Sequence, residues 1–176
     1  ETRRRLRLER AVARVRAGAY AEAIPELDGL LEELTGHERF EALDARFHAS
    51  FWAADAEGAH HFGELARGLA HELGEEELRT LALSFLLGAA NMDGQLEAAR
   101  EYGREALRLW RPQTRLYELA TTHEWLSLNE YWNGAYEAAE ESSRQAYELG
   151  DKVQSIGPVV NGGAQLALSL SGLGRH

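Results

Sequence analysis

The chain of 176 residues contains no cysteine, so disulfides, cysteine-ligated zinc and thiol chemistry are excluded. Its three prolines are too few for a proline-rich linker, and no low-complexity segment interrupts it. Lys152 is its only lysine among many arginines, a bias that suggests a GC-rich genome. No apolar run approaches the roughly 20 residues that cross a bilayer. No signal peptide is visible, and a cytoplasmic setting is the default expectation. Strand signals are also missing: β-branched runs are few and apolar–polar alternation is absent. Positive charge is scarce, with a net charge of −10, which argues against nucleic-acid binding as the main activity because a phosphate backbone selects a basic face. The one basic cluster, Arg3-Arg4-Arg5-Leu6-Arg7, reads as the solvated face of a first helix. There is no phosphate-binding glycine loop, no Walker pattern, no Gly-x-Ser-x-Gly elbow and no HExxH helix.

What the chain has is a repeat. Gly18, Gly58, Gly94, Gly134 and Gly174 follow one another at steps of 40, 36, 40 and 40 residues. The first four each open an Ala-rich amphipathic segment, as in Gly18-Ala-Tyr-Ala-Glu-Ala and Gly134-Ala-Tyr-Glu-Ala-Ala. Self-similarity at this period is the signature of a helical solenoid, in which each unit buries its apolar face only against its neighbours. Apolar residues spaced by three and four, such as Leu27, Leu30, Leu31 and Leu34, place one stripe on each helix.

The pattern predicts an all-α chain of helix pairs over residues 2–35, 38–74, 76–110 and 114–150, followed by an unpaired helix over 156–173. Thr35-Gly36, Gly74, Arg111-Pro112 and Gly150-Asp151 are the breakers between pairs. Pro25 falls inside the second helix and predicts a bend or a helix start nearby. Gly18, Gly58, Gly94 and Gly134 are expected in equivalent turns. The chain lacks an initiator Met and stops at Leu173-Gly174-Arg175-His176, where the period expects another helix. It is therefore read as a single solenoid cut from a longer protein.

These residues carry a family likeness. The chain resembles tetratricopeptide repeats, which pair two antiparallel helices and have a Gly-x-Tyr turn, matched by Gly18-Ala-Tyr20 and Gly134-Ala-Tyr136. Small residues recur five and twelve positions after the turn glycine: Ala23, Gly63 and Ala70, Ala99 and Ala106, Ala139 and Ala146, with Leu30 the exception. Helices whose axes lie about 8–10 Å apart need small side chains where they cross. The likeness implies a right-handed superhelix of about four and a half repeats, of the longer form found in bacterial regulatory proteins.

Such arrays bind along a concave surface lined by the first helix of each pair. Counting back from each glycine gives His48, Trp52 and Asp55, then Ser84, Gly88, Asn91 and Met92, then Glu124, Leu128, Tyr131 and Trp132, then Asn161 and Gln165. Amides suit the backbone of an extended peptide, and aromatics hold its apolar side chains. Trp125, seven residues before Trp132 and on roughly the same helix face, reads either as an aromatic anchor on the groove or as packing between repeats, the second being favoured. Tyr131 and Trp132 stand open between groove and core. Trp110 reads as packing under the loop at Pro112. His60, His61 and Glu64 lack a third ligand at a supporting spacing, so no metal or cofactor is expected. The segment Val159–Leu173 is the most apolar in the chain, and predicts either a covering helix or a surface for self-association.

The sequence thus points to a non-catalytic scaffold binding a protein or peptide, with a basic partner steered by the negative field. The alternative is a regulatory segment of a larger bacterial signalling or transcription protein that binds a small molecule or controls an attached domain.

Overall fold

A computed structural model describes residues 2–111 and 115–175. Among these residues nine helices follow one another: α1 Thr2–Arg16, α2 Tyr20–Glu33, α3 Gly36–Trp52, α4 Ala56–Leu73, α5 Glu76–Met92, α6 Leu96–Leu109, α7 Leu116–Trp132, α8 Tyr136–Lys152 and α9 Ile156–Gly172. No strand interrupts them among the described residues. Each helix packs on the next, and each odd-numbered helix also touches the next odd one, whereas no two even-numbered helices meet. That asymmetry makes the odd helices the inner, concave layer of a helical-repeat solenoid and the even ones its outer layer.

The turns set the period. A residue with a left-handed backbone follows each odd helix: Gly18 (φ 78°), Ala54 (58°), Gly94 (70°), Gly134 (73°) and Gly174 (69°). The residue after each donates its N–H back to the carbonyl five positions earlier, as Ala19 to Arg14 (2.9 Å), Asp55 to Ser50 (2.9 Å), Gln95 to Ala90 (2.8 Å) and Ala135 to Glu130 (2.9 Å). This six-to-one bond caps the orphan carbonyls of the preceding helix.

Gly58 does not sit in this series. It lies inside the first turn of α4, and the left-handed place belongs to Ala54. Its role is clearance. Asp55 caps α4 by accepting from the Gly58 N–H at 2.9 Å, and a Cβ at Gly58 would stand 2.0 Å from Asp55 Oδ2. The expected register of the second repeat is therefore corrected by four residues. The small residues five and twelve positions after the turn are Ala59 and Ala66, both fully buried, in place of Gly63 and Ala70. They align with Ala23, Ala99 and Ala139, and with Leu30, Ala106 and Ala146, all likewise fully buried. Gly63 instead matches Gly103, and both face leucines of the next inner helix.

The breakers Gly36 and Gly74 are left-handed between pairs, as are Arg115 and Gln154. Pro25 lies within α2, which starts five residues earlier at Tyr20. Pro112 lies outside the described residues. Trp110 packs against the main core cluster.

The core changes character along the array. At its centre Phe47 stacks on Phe85 with ring centroids 4.6 Å apart, and Phe51 lies 5.0 Å from Trp125. Full burial of a side chain such as Phe47 contributes on the order of 1.5–3 kcal/mol. At the start of the chain, the arginine-rich face of α1 is tied to α2 and α3: Arg10 and Arg14 both pair with Glu26, Arg7 with Glu33, and Arg5 with Glu41. At the end, glycines bring α9 onto α8. A Cβ on Gly162 would meet the Tyr147 backbone at 2.9 Å, and one on Gly172 the Tyr136 ring at 2.8 Å. The outer side of α9 leaves Ile156, Val160 and Leu168 exposed. Val160 holds the place of Phe40, Thr80 and Ala120, which the following elements bury in the earlier repeats.

Candidate functional site

The inner layer encloses a groove of about 630 Å³. Helix α1 contributes Val12, Val15 and Arg16. From α3 come Glu41, Asp44, His48 and Trp52, and from α5 Leu81, Ser84 and Phe85. Helix α7 and its cap add Arg115, Tyr117, Glu118, Thr121 and Trp125. Four successive inner helices therefore share one wall, which is what the curvature of a solenoid produces.

The floor is aromatic. The His48 ring meets Phe85 edge-on at 5.6 Å, and Trp52 meets Phe51 edge-on at 5.2 Å. Trp125 is almost fully buried, yet its edge reaches the groove. It fits because position 88 is glycine: a Cβ there would stand 2.9 Å from the Trp125 ring and 3.3 Å from Phe51. Trp52 and Tyr117, by contrast, are 58% and 52% exposed. Large apolar rings left in water inside a concavity are the usual anchors of a binding surface.

Charge is arranged around His48. Its Nδ1 lies 2.8 Å from Asp44 Oδ1 and 3.0 Å from the Asp44 carbonyl, so Nδ1–H donates along its own helix. Burial opposes a charge on this ring. The Asp44 carboxylate, the Asp44 carbonyl and Glu118 outweigh it, and the pKa stands above histidine's ordinary value. Glu41 is engaged by Arg5, and Arg115 by Glu77 and Glu118.

The residues singled out in the sequence divide in two. His48 and Trp52 line the groove together with Ser84. Asp55 is exposed and caps α4. Most of the others engage neighbouring helices. Asn91 Nδ2 donates to the Trp125 carbonyl at 2.9 Å, and Asn129 Nδ2 donates to Asn91 Oδ1 at 3.0 Å. Asn161 Nδ2 donates to Glu124 Oε1 at 2.9 Å, and Ser127 Oγ bonds Gln165 Oε1. Burial holds the Glu124 pKa above its usual range, with Asn161 opposing the shift. With Ser84–Thr122 at 2.7 Å, the side-chain to side-chain contacts among these join residues 37 or 38 apart, one repeat to the next. The amides thus bridge inner helices. Leu128 is half-buried, Tyr131 packs 5.6 Å from Tyr136, and Trp132 is exposed at the end of α7.

Sequence reasoning missed Asp44, Phe85, Tyr117 and Glu118. Counting back from Ala54 would have found Asp44, ten residues before the turn, where Ser84 also stands. Tyr117 and Glu118 lie in the first turn of α7, beyond the positions counted from its glycine. Elsewhere, Glu64 pairs with Arg67, and the His60 Nδ1 is buried without a hydrogen bond to the described residues.

The sequence matches no protein-family model and no curated protein. Solved structures do match. Crystal structures of the nearly identical TPR-like repeats of a Podosopora anserina protein described as a kinesin light chain are similar to this chain. One has a TM-score of 0.73 and a single-substitution variant of it 0.74, each at 18% identity, covering 99% of this chain and 88% of the other. At that identity the likeness shows the fold: helix-pair repeats of the tetratricopeptide type.

Proposed function

We propose that the chain is a non-catalytic binding scaffold whose concave groove holds a peptide segment of a partner protein. The observation that carries this is the groove itself. Four inner helices build one concavity of about 630 Å³ in which Trp52 and Tyr117 remain more than half exposed. His48 and Trp52 anchor the ligand on α3, and Trp132 extends the aromatic edge at the same position in its repeat, two residues before the turn. A partner with basic residues gains from the net charge of −10.

The volume also lies within the range of small-molecule sites, about 300–1,000 Å³, and this favours the second reading, a regulatory segment of a larger bacterial protein that senses a small ligand. The uncharged outer side of α9 offers a separate surface through which copies of the chain associate, and Val160→Glu should abolish that association in light scattering.

Peptide-library selection on the intact chain tests the main reading, with affinities then measured for Trp52→Ala and Tyr117→Ala. Both side chains are exposed, so the variants should keep their helical circular dichroism. The expected result is selected peptides whose affinity drops by about tenfold or more in the variants. Peptides that bind both variants unchanged would contradict it.

A further inference from the structure

The groove is polarised along its length. Glu41 and Asp44 lie in the first half of α3, and Glu118 in the first turn of α7. Arg16 and Trp52 are the last residues of α1 and α3, and so mark the other end. The carboxylates differ in how far they are compensated. Glu41 is held by Arg5. Glu118 shares Arg115 with Glu77, at a distance of 3.5 Å. Among the described residues Asp44 pairs with His48 alone, whose charge depends on a proton. No charged group comes from α5, which contributes Leu81, Ser84 and Phe85, and α2 contributes only Tyr20. When His48 is neutral, the acid end carries one unpaired carboxylate and one loosely paired one, beside the Phe85 and Tyr117 rings. Such a place favours a positive charge with delocalised or weakly hydrated character, because carboxylate attraction and ring quadrupoles act on it together.

Resting on the reading of this groove as a binding surface, we propose that it is a site for an organic cation. A guanidinium or ammonium head lies between Asp44 and Glu118, the apolar body of the ligand lies toward Trp52, and the head competes with the proton on His48. Arg16 at the far end repels a second cation, so the groove holds one. Binding then strengthens as pH rises through the titration of His48, and binding releases a proton. The raised affinity of His48 for its proton is the same field acting on a resident cation.

Calorimetric titration of the intact chain at pH 5.5 and 8.5 tests this with three probes: butylguanidinium, an acetylated and amidated Gly-Gly-Arg-Gly-Gly peptide, and the same peptide with glutamate in place of arginine. The two guanidinium probes should bind about tenfold tighter at the higher pH, a difference of about 1.4 kcal/mol, and the glutamate peptide should not bind. Equal affinities for the two would show that the cation alone suffices, and binding of the peptide only would show that the source is a protein segment. Glu118→Gln and Trp52→Ala should each weaken the guanidinium probes several-fold, and His48→Gln should remove the pH dependence. Preference for the glutamate peptide, affinity independent of pH, or unchanged affinity in both variants would overturn the cation site. If neutral or acidic peptides bind and Trp52→Ala abolishes their binding, the cation site falls and the groove remains a peptide site. If no probe and no library peptide binds, both fall.

Discussion

The concave layer is two different surfaces built from the same helix pairs. Over α3, α5 and α7 the inner helices are packed by rings, with Phe47 on Phe85 and Phe51 on Trp125; Ser84–Thr122 and Asn91–Asn129 add polar bridges only between α5 and α7, and Asp44 and His48 on α3 face the groove. Between α7 and α9 the inner helices are held by polar bridges, Glu124 to Asn161 and Ser127 to Gln165, and the polar groups are spent on one another. A packed aromatic seam satisfies cohesion without using hydrogen-bonding groups, and so releases them to a ligand. A polar seam does the reverse, because every buried donor or acceptor needs its partner.

The sharpest way to break this comparison is to open the aromatic seam. Phe47→Ala should cost about 3–5 kcal/mol, the range for deleting a fully buried ring, read by denaturant unfolding. A cost below about 1 kcal/mol would mean that the rings do not hold the centre. A polar bridge on the same side breaks more gently. Asn129 on α7 is fully buried and donates both to Asn91 on α5 and to the Leu96 carbonyl of α6, so Asn129→Ala should cost about 1–3 kcal/mol by leaving acceptors unpaired.

Acid should act on the C-terminal half first. His123 stands eleven residues before its turn, where Leu43 and Leu83 fill the core, and burial pushes its pKa down to about 4. Its Nδ1 has no hydrogen-bond partner among the described residues. The unfolded chain therefore takes up a proton that the folded chain refuses. Stability is present above the ordinary histidine pKa of about 6.5 and is lost as pH falls toward 4, by about 2 kcal/mol at pH 5. His123→Leu should flatten that loss in unfolding curves measured from pH 7 to 5. Glu130 has the opposite sign. Burial raises its pKa, with Ser142 opposing, so its contribution is lost as pH rises, and Glu130→Gln should stabilise the chain at pH 8. The smallest expected effect on folding belongs to the groove. Trp52→Ala should change stability by no more than about 0.5 kcal/mol, as for an exposed site.

The fold was legible because turns and small residues repeat, and Gly18, Gly94, Gly134 and Gly174 mark equivalent turns. The second repeat was misplaced because its left-handed residue is Ala54, which carries no glycine signal. Gly58 answers to a different demand, the room taken by the Asp55 cap. The slip of four residues is close to one helical turn, which kept His48 and Trp52 on the groove side despite the wrong register. The site was less legible. Asn91, Glu124, Asn161 and Gln165 occupy inner positions, but a sequence does not tell a polar group facing a ligand from one facing the next repeat. The place of Trp125 depends on the missing side chain at Gly88, one repeat away.

The division between the two surfaces is tested most directly by measuring, for one library-selected ligand, both Kd and unfolding free energy in Trp52→Ala and in Gln165→Ala. The account predicts that Trp52→Ala weakens binding about tenfold with folding unchanged. It predicts that Gln165→Ala destabilises the chain with Kd unchanged. Weaker binding in Gln165→Ala with full stability, and unchanged binding in Trp52→Ala, would place the ligand on the polar seam and contradict it.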